Sequence, residues 1–266
     1  MYQTTYHRPS SVDEAAAAFA KGTEAKYLAG GHTLIPVMKQ RLAAPSDVID
    51  LGKIKELIGI EASGDTLTIK AATTYFDIMQ SADVKKSIPA ISYLTSVLGD
   101  PAVRYRGTIG GSLANNDPAA DYPAAVLALG ATVKTSKRLI PADDFFKGLF
   151  ATALEDGEII TAVSFPVQDK AGYAKFPNPA SRFALTGVFV ARTPSGDVRV
   201  AATGASQSGV MRVGPIEAAL KANWSAGAID SVQIPSAGLL SDIHGSADYR
   251  ANLIKVMAQR AVTAAG

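Results

Sequence analysis

The chain contains no cysteine, three histidines and one tryptophan among its 266 residues. Without thiols it forms no disulfide, ligates no iron–sulfur cluster, offers no thiolate nucleophile and builds no thiolate zinc site. His7, His32 and His244 lie far apart with no HxH or HxxxH spacing, so no multi-histidine metal site is expected. Any redox chemistry must then come from a bound organic cofactor. Charge of one sign is missing too: 26 Lys and Arg face 24 Asp and Glu, a net charge of +2. The basic residues are scattered, whereas nucleic-acid binding needs a concentrated basic face. No apolar run approaches roughly 18 residues, so no membrane span is expected. The opening MYQTTYHRPSS has neither a basic n-region nor an apolar h-region, which makes the cytoplasm the expected compartment.

What the chain does have is apolar content, 47% hydrophobic against 19% charged residues. That composition suits a globular protein with an ample core, of one large or two modest domains. Ser11 with Glu14 forms a capping-box pattern ahead of an Ala-rich helix that Gly22 ends. A short strand over 26–29 stops at Gly30 and Gly31, and helical spacing returns over 34–42. A strand is expected at 47–51. Residues 57–60 and 66–71 alternate as a hairpin across Ser63, Gly64 and Asp65. Helices are expected at 74–80 and 87–97, a strand–turn segment at 108–114, a helix at 118–129, and strands at 131–135 and 159–165. The Gly- and Pro-bearing stretch 167–180 reads as a loop and as the domain boundary. Beyond it come strands at 183–191 and 197–203 and helices at 215–222 and 249–264.

Two glycine pairs carry the chemical information, one in Ala29-Gly-Gly-His-Thr33 and one in Thr108-Ile-Gly-Gly-Ser112. Consecutive glycines admit positive φ and bring bare N–H groups against a ligand. When such a turn feeds a helix, the donors and the helix dipole converge on one point suited to phosphate or pyrophosphate. Thr33 and Ser112 add hydroxyls. The alternative is a tight turn without a ligand. Neither motif is GxGxxG or a P-loop. Asp117 and Asp121 are helix-start residues; they read either as N-caps or as acceptors for ribose hydroxyls. His32 reads as a polar loop residue, without a sequence partner for a catalytic relay. Tyr173 and Lys175 read either as flanking a flat cofactor or as a solvated linker. Trp224 reads as core or interface.

These residues resemble a known family, the flavin-binding medium subunits of molybdenum hydroxylases, nearest in kind to those of aerobic carbon monoxide dehydrogenases. The carrying motifs are Tyr6-His-Arg-Pro9, Ala29-Gly-Gly-His-Thr-Leu-Ile-Pro36 with Met38 and Lys39, Arg104-Tyr-Arg-Gly-Thr-Ile-Gly-Gly111, and Asp117-Pro-Ala-Ala-Asp121. Ala247-Asp-Tyr-Arg250 and Arg260-Ala-Val262 extend the likeness to the far end. The resemblance implies an α+β fold: a two-part FAD-binding domain of the vanillyl-alcohol-oxidase (PCMH) type, then a smaller α+β C-terminal domain with a helical end. The FAD-binding domain is expected at 1–166, in subdomains of about 1–53 and 54–166, and the C-terminal domain at 167–266.

By motif matching, Ala29, Gly30, Gly31, His32, Thr33 and Leu34 would wrap the FAD pyrophosphate together with Thr108, Ile109, Gly110, Gly111 and Ser112. Asp117 joins them as a cofactor-binding candidate. Asp121 would lie near the adenosine portion, Ile160 on a strand touching the flavin, Lys175 close to the isoalloxazine and Tyr173 beside it. Ser112 stands where many members have Asn, and Thr33 where many have Ser; both keep a polar side chain. No catalytic or metal-binding residue is expected. The implied partners are a large subunit with the molybdenum cofactor and a small subunit with two [2Fe–2S] clusters, in a dimer of heterotrimers that delivers electrons through FAD to an external acceptor. Two other readings stand beside this one. A self-sufficient flavoprotein reductase or oxidase would need an acid–base pair the sequence does not offer. A cofactor-free scaffold would use its glycine turns for structure alone.

Overall fold

The computed structural model describes residues 1–266 and mixes helix and sheet throughout. Ser11 begins the first helix, Val12–Phe19, as its pattern predicts: its hydroxyl accepts from the Glu14 amide at 3.1 Å, while the Glu14 carboxylate accepts from the Ser10 amide at 2.8 Å. That helix is the crossover between strands Thr5–His7 and Ala25–Leu28; helix Leu34–Lys39 is the crossover to Asp47–Asp50. The three strands form a parallel sheet with Asp47–Asp50 in the middle. Parallel pairing requires such crossovers and leaves the loops at the carboxyl ends of the strands free to meet a ligand.

The second unit is a five-stranded antiparallel sheet in the order Ile60–Ser63, Thr66–Lys70, Ile160–Pro166, Thr132–Thr135, Leu139–Pro141. The hairpin turns at Gly64, whose φ of +57° is one only glycine takes at no steric cost. Helices of residues 75–128 cover this sheet and bury the largest core, with Ile78, Leu94, Tyr122 and Phe165 fully inside.

A third sheet orders Lys170–Pro177, Ala184–Arg192, Val198–Thr203 and Met211–Arg212 in antiparallel sequence, under helices Gly214–Ala222 and Ala247–Ala265. Its second strand is buried on both faces, and the period of two is clean. Phe189 and Ala191 enter the large core, while Val188 and Val190 enter the core beneath the C-terminal helix. Trp224 packs against that second core, with the Arg192 guanidinium over its ring.

Arg250 locks this region. It is 2% exposed, donates from Nη1 to the carbonyls of Leu185 and Gly204 (2.7 Å each), and pairs through Nη2 with both carboxylate oxygens of Asp242.

Several expectations need correction. Residues 167–180 are not a loop, because Lys170–Pro177 is an eight-residue strand. Gly172 serves there as clearance, since a Cβ would collide with the Ala261 carbonyl of the C-terminal helix; Pro177 sits at the strand's last position, where a missing donor costs least. Residues 108–114 are not strand and turn: Ile109–Asn115 is a helix capped by the Thr108 hydroxyl, and both glycines lie in its first turn. Residues 55–57 make one 3-10 turn where a strand was expected to begin. Strand Thr5–His7 and helices Ala82–Ser87 and Pro101–Arg106 were not foreseen. All three are short and mostly exposed, so their apolar periodicity is weak.

Candidate cofactor cleft

A cleft of about 750 Å³ opens where the first two sheets meet. Its floor begins at the end of strand Ala25–Leu28, where the chain runs straight into Ala29–Leu34. The backbone N–H groups of Ala29, Gly30, Gly31, His32 and Thr33 donate to no protein atom, and all five residues line the cleft. Ala29, Gly30 and Gly31 are half-buried, and semi-buried amides without partners are rare, because each forfeits a hydrogen bond. A run of them at a cleft is a ready cradle for an anion. The helix that follows has six residues and Thr33 makes no side-chain cap, so the cradle is loop amide rather than helix dipole.

Gly30 and Gly31 do different work. Gly31 sits at φ +78°, a left-handed turn. Gly30 lies flat on the other motif: a Cβ there would be 2.7 Å from the Arg106 carbonyl carbon, 2.8 Å from Gly107 Cα, and closer still to the Arg106 oxygen. One residue further along, a Cβ on Gly111 would lie 3.1 Å from that of Ala29. The two glycine pairs therefore stitch their loops together back to back.

The second pair supplies packing more than donors. The Gly110 amide donates to Ala71 O at 2.9 Å, and the Gly111 amide to Thr108 Oγ1 at 3.1 Å. Gly110 exists for clearance, since a Cβ would stand 2.6 Å from Ala71 Cβ. Thr108, Gly110, Gly111 and Ser112 line the cleft. Ile109 does not; its side chain is fully buried in the large core.

Asp117 and Asp121 both line the cleft. Asp117 accepts from the Ala119 amide at 2.8 Å, the capping alternative in miniature. Asp121 precedes helix Tyr122–Ala128 yet makes no cap bond. Its carboxylate is 2% exposed and turns instead to the Tyr173 hydroxyl and to Lys175 Nζ, the latter at 3.0 Å. Burial raises its pKa, against the opposing pull of the Lys175 ammonium and the Tyr173 hydrogen bond. Forgoing a cap costs a helix about 1 kcal/mol, so a carboxylate diverted in this way signals a demand elsewhere. Tyr173 and Lys175 do not line the cleft themselves; they stand behind Asp121, and Lys175 also donates to the carbonyl of the cleft residue Arg182 at 3.1 Å. The expectation that Asp121 meets the adenosine end and Lys175 the isoalloxazine end of one extended dinucleotide therefore needs correction, because groups in direct contact cannot serve both ends.

A second group gathers around Ile160, Ile159 and Glu158, which also line the cleft. The Tyr27 hydroxyl donates to Gly157 O at 3.1 Å and ties the first sheet to this segment. Sequence reasoning missed Glu158. Its side chain is fully buried and accepts from Thr135 Oγ1 (2.6 Å), Arg138 Nε (3.1 Å), Arg138 Nη2 (3.0 Å) and the Glu155 amide (2.8 Å). Burial alone would push its pKa up; these donors and the Arg138 charge overcome it and hold the carboxyl at about 2. No local signal separates this glutamate from its neighbours Glu155 and Asp156. Tyr75 was missed as well: it lines the cleft, and burial pushes its hydroxyl up to about 12.

The Glu158 shift makes a stability prediction. Its folded pKa of about 2 lies below the ordinary value of 4.5, so its contribution is complete above pH 4.5 and is lost as pH falls toward 2. The size is on the order of 3 kcal/mol. Urea unfolding of Glu158→Gln should show that deficit at pH 6, and the gap from wild type should shrink at pH 3. An equal gap at both values would reject the assignment.

No group of three or more His, Asp or Glu is placed to hold a metal ion, and no helix is long and apolar enough to cross a membrane. With the geometry in place, comparison with known proteins is informative. Residues 2–168 match the model of the FAD binding domain in molybdopterin dehydrogenase. The chain is 35% identical over 276 residues to the carbon monoxide dehydrogenase medium chain of Afipia carboxidovorans, covering 97% of this chain and 94% of that one. It is 35% identical over 274 residues to the nicotine 6-hydroxylase medium subunit of Paenarthrobacter nicotinovorans, covering 98% and 96%. Among solved structures, the reconstituted CO dehydrogenase from Oligotropha carboxidovorans superposes with a TM-score of 0.89 at 32% identity, over 99% of this chain and 97% of that one.

Proposed function

The chain belongs to the FAD-binding medium-subunit family of molybdenum hydroxylases, and on that premise we propose that its cleft seats FAD with the pyrophosphate on the Ala29–Thr33 amides. The observation that carries this placement is the run of five residues whose N–H groups have no protein acceptor. A pyrophosphate satisfies such donors without a side-chain cation. A cleft of about 750 Å³ lies within the range of sites that bury a whole cofactor. Asp121, backed by Lys175, then faces the bound FAD, as do Ile160 and Glu158.

FAD, when bound, supplies a carrier able to take up electrons singly and give them up in pairs. The chain's own residues bind it, orient it and set its surroundings. Gly30 allows the two loops to close on each other beneath the phosphates. Asp121 faces the cleft, with the Lys175 ammonium behind it as counter-charge. Tyr75 keeps its phenolic proton at neutral pH and so serves as a donor. The cleft carboxylates Asp117, Asp121 and Glu158 each accept hydrogen bonds from the protein, so none is a free base for a substrate. That favours electron transfer over substrate chemistry in this chain.

A chain without cysteine cannot ligate iron–sulfur clusters, so the electrons come from another polypeptide. The partners that fit are a small [2Fe–2S] subunit and a large subunit with the molybdenum cofactor, assembled as a dimer of heterotrimers that passes electrons to an external acceptor. Heat denaturation of the co-purified complex, followed by chromatography of the supernatant, should release FAD at about one per chain. A co-purified complex without flavin would end the proposal.

A further inference from the structure

Asp121 is held by the third sheet, not by its own helix. Tyr173 and Lys175 are two residues apart on one strand, so they share a face, and both reach this one carboxylate. Tyr173 is 1% exposed, and its ring crosses the diagonal position Gly187, the partner of Lys175 in the register, where a Cβ would sit 2.5 Å from the hydroxyl. The backbone on the near side of Asp121 is fixed from the same sheet. Thr203 Oγ1 donates to Pro118 O (2.9 Å) and Ala120 O (2.7 Å), and the Gly204 amide donates to Pro118 O at 2.8 Å.

We infer that Tyr173 is a positioning residue for the cofactor cleft: its hydroxyl holds the Asp121 carboxylate off the helix it would otherwise cap and onto Lys175. This rests on the reading that Asp121 faces bound FAD. An ionised carboxylate only accepts, so Tyr173 must donate, and burial beside Asp121 keeps its pKa far above the ordinary tyrosine value. The Lys175 ammonium has three N–H groups. One meets Asp121 and one meets Arg182 O. Without the Tyr173 hydroxyl, the carboxylate is free to swing to the amides of its own helix. Lys175 then loses its counter-charge and its aim.

The test is Tyr173→Phe, Asp121→Asn and the double variant, each in the full chain purified with its partner subunits. The readouts are the FAD dissociation constant across pH and the visible flavin spectrum. Tyr173→Phe should weaken FAD by roughly tenfold and shift the flavin band. The acid limb of its affinity profile should move to higher pH, because the lost donor favoured the anion. The double variant should match Asp121→Asn alone, since the hydroxyl acts only through that carboxylate. Additive effects, or unchanged affinity in Tyr173→Phe while Asp121→Asn is weakened, would overturn the inference and leave the cleft reading intact. If Asp121→Asn itself changes nothing, the reading beneath it falls. Should Tyr173→Phe fail to fold, Gly187→Ala displaces the same hydroxyl without removing it and carries the same expectation.

Discussion

Gly30→Ala empties the cleft while leaving the sheets in place. A single methyl group at this position has nowhere to go, because the obstacle is backbone: the Arg106 carbonyl and Gly107 Cα lie under it. A side chain can rotate away from a clash, whereas here two loops must part. Parting them displaces the amides of Ala29–Thr33 from the phosphates and costs about 1–3 kcal/mol in strain before any lost donor is counted. The expected result is a loss of FAD affinity on the order of a hundredfold, near 2.7 kcal/mol, with an unaltered far-ultraviolet circular dichroism spectrum. Gly111→Ala should be mild by comparison, since its Cβ would meet the Thr108 hydroxyl at 3.0 Å and the Ala29 methyl at 3.1 Å, an approach relieved by a few tenths of an ångström. Equal flavin content in Gly30→Ala and wild type would show that the loops tolerate separation, and the cradle would have to be abandoned.

Arg250→Met is the largest stability loss expected anywhere in the chain. The guanidinium is almost fully buried and serves three distant segments at once, through Leu185 O, Gly204 O and the Asp242 carboxylate. Methionine fills the volume but takes the donor from Gly204 O, leaves Leu185 O with the Thr186 hydroxyl alone, and strips one carboxylate of its cation. Asp242 is itself exposed, so the loss falls on the unpaired buried acceptor and the lost hydrogen bonds, on the order of 3 kcal/mol. For a chain of this size that corresponds to a drop in melting temperature of roughly 10 °C. Arg250→Lys should rescue little, because an ammonium is a point of charge and cannot span two carbonyls and a bidentate carboxylate. Differential scanning calorimetry decides the matter: a shift below about 2 °C would show that the four hydrogen bonds merely occupy space.

What sequence could reveal was what is decided locally. The Ser11 cap, the hairpin at Gly64 and the loop after Leu28 follow from neighbours a few residues away, and each is present. The second glycine pair was misread because its purpose is distant. Gly110 is shaped by Ala71, nearly forty positions earlier, and two glycines in a helix violate local propensity. The segment 167–180 was misread for the same reason: Gly172 looks like a loop residue until the C-terminal helix is laid across it. Family resemblance gathered most of the cleft residues correctly into one place, with Ile109, Tyr173 and Lys175 just outside its lining. It did not convey which of them touch one another, so Asp121 and Lys175 were expected at opposite ends of a ligand. Glu158 was invisible because its character comes chiefly from Thr135 and Arg138, on a turn some twenty residues earlier.

The large core does not end where the first two sheets end. Tyr173, Phe189, Ala191 and Ala201 are part of it, although they lie beyond the residues matched by the FAD-binding family model. During synthesis this has a cost in time. A ribosome adding about 5–20 residues per second needs roughly 2–7 s to go from residue 166 to residue 201. Throughout that interval the face of the core that Tyr173, Phe189 and Ala201 cover stays open. Thr203 and Gly204 follow, and until they emerge the carbonyls of Pro118 and Ala120 lack their donors from the third sheet. The amide cradle is therefore translated early and the acidic lip is set late, which dates cofactor capture to the completion of the chain rather than to the emergence of its first motif.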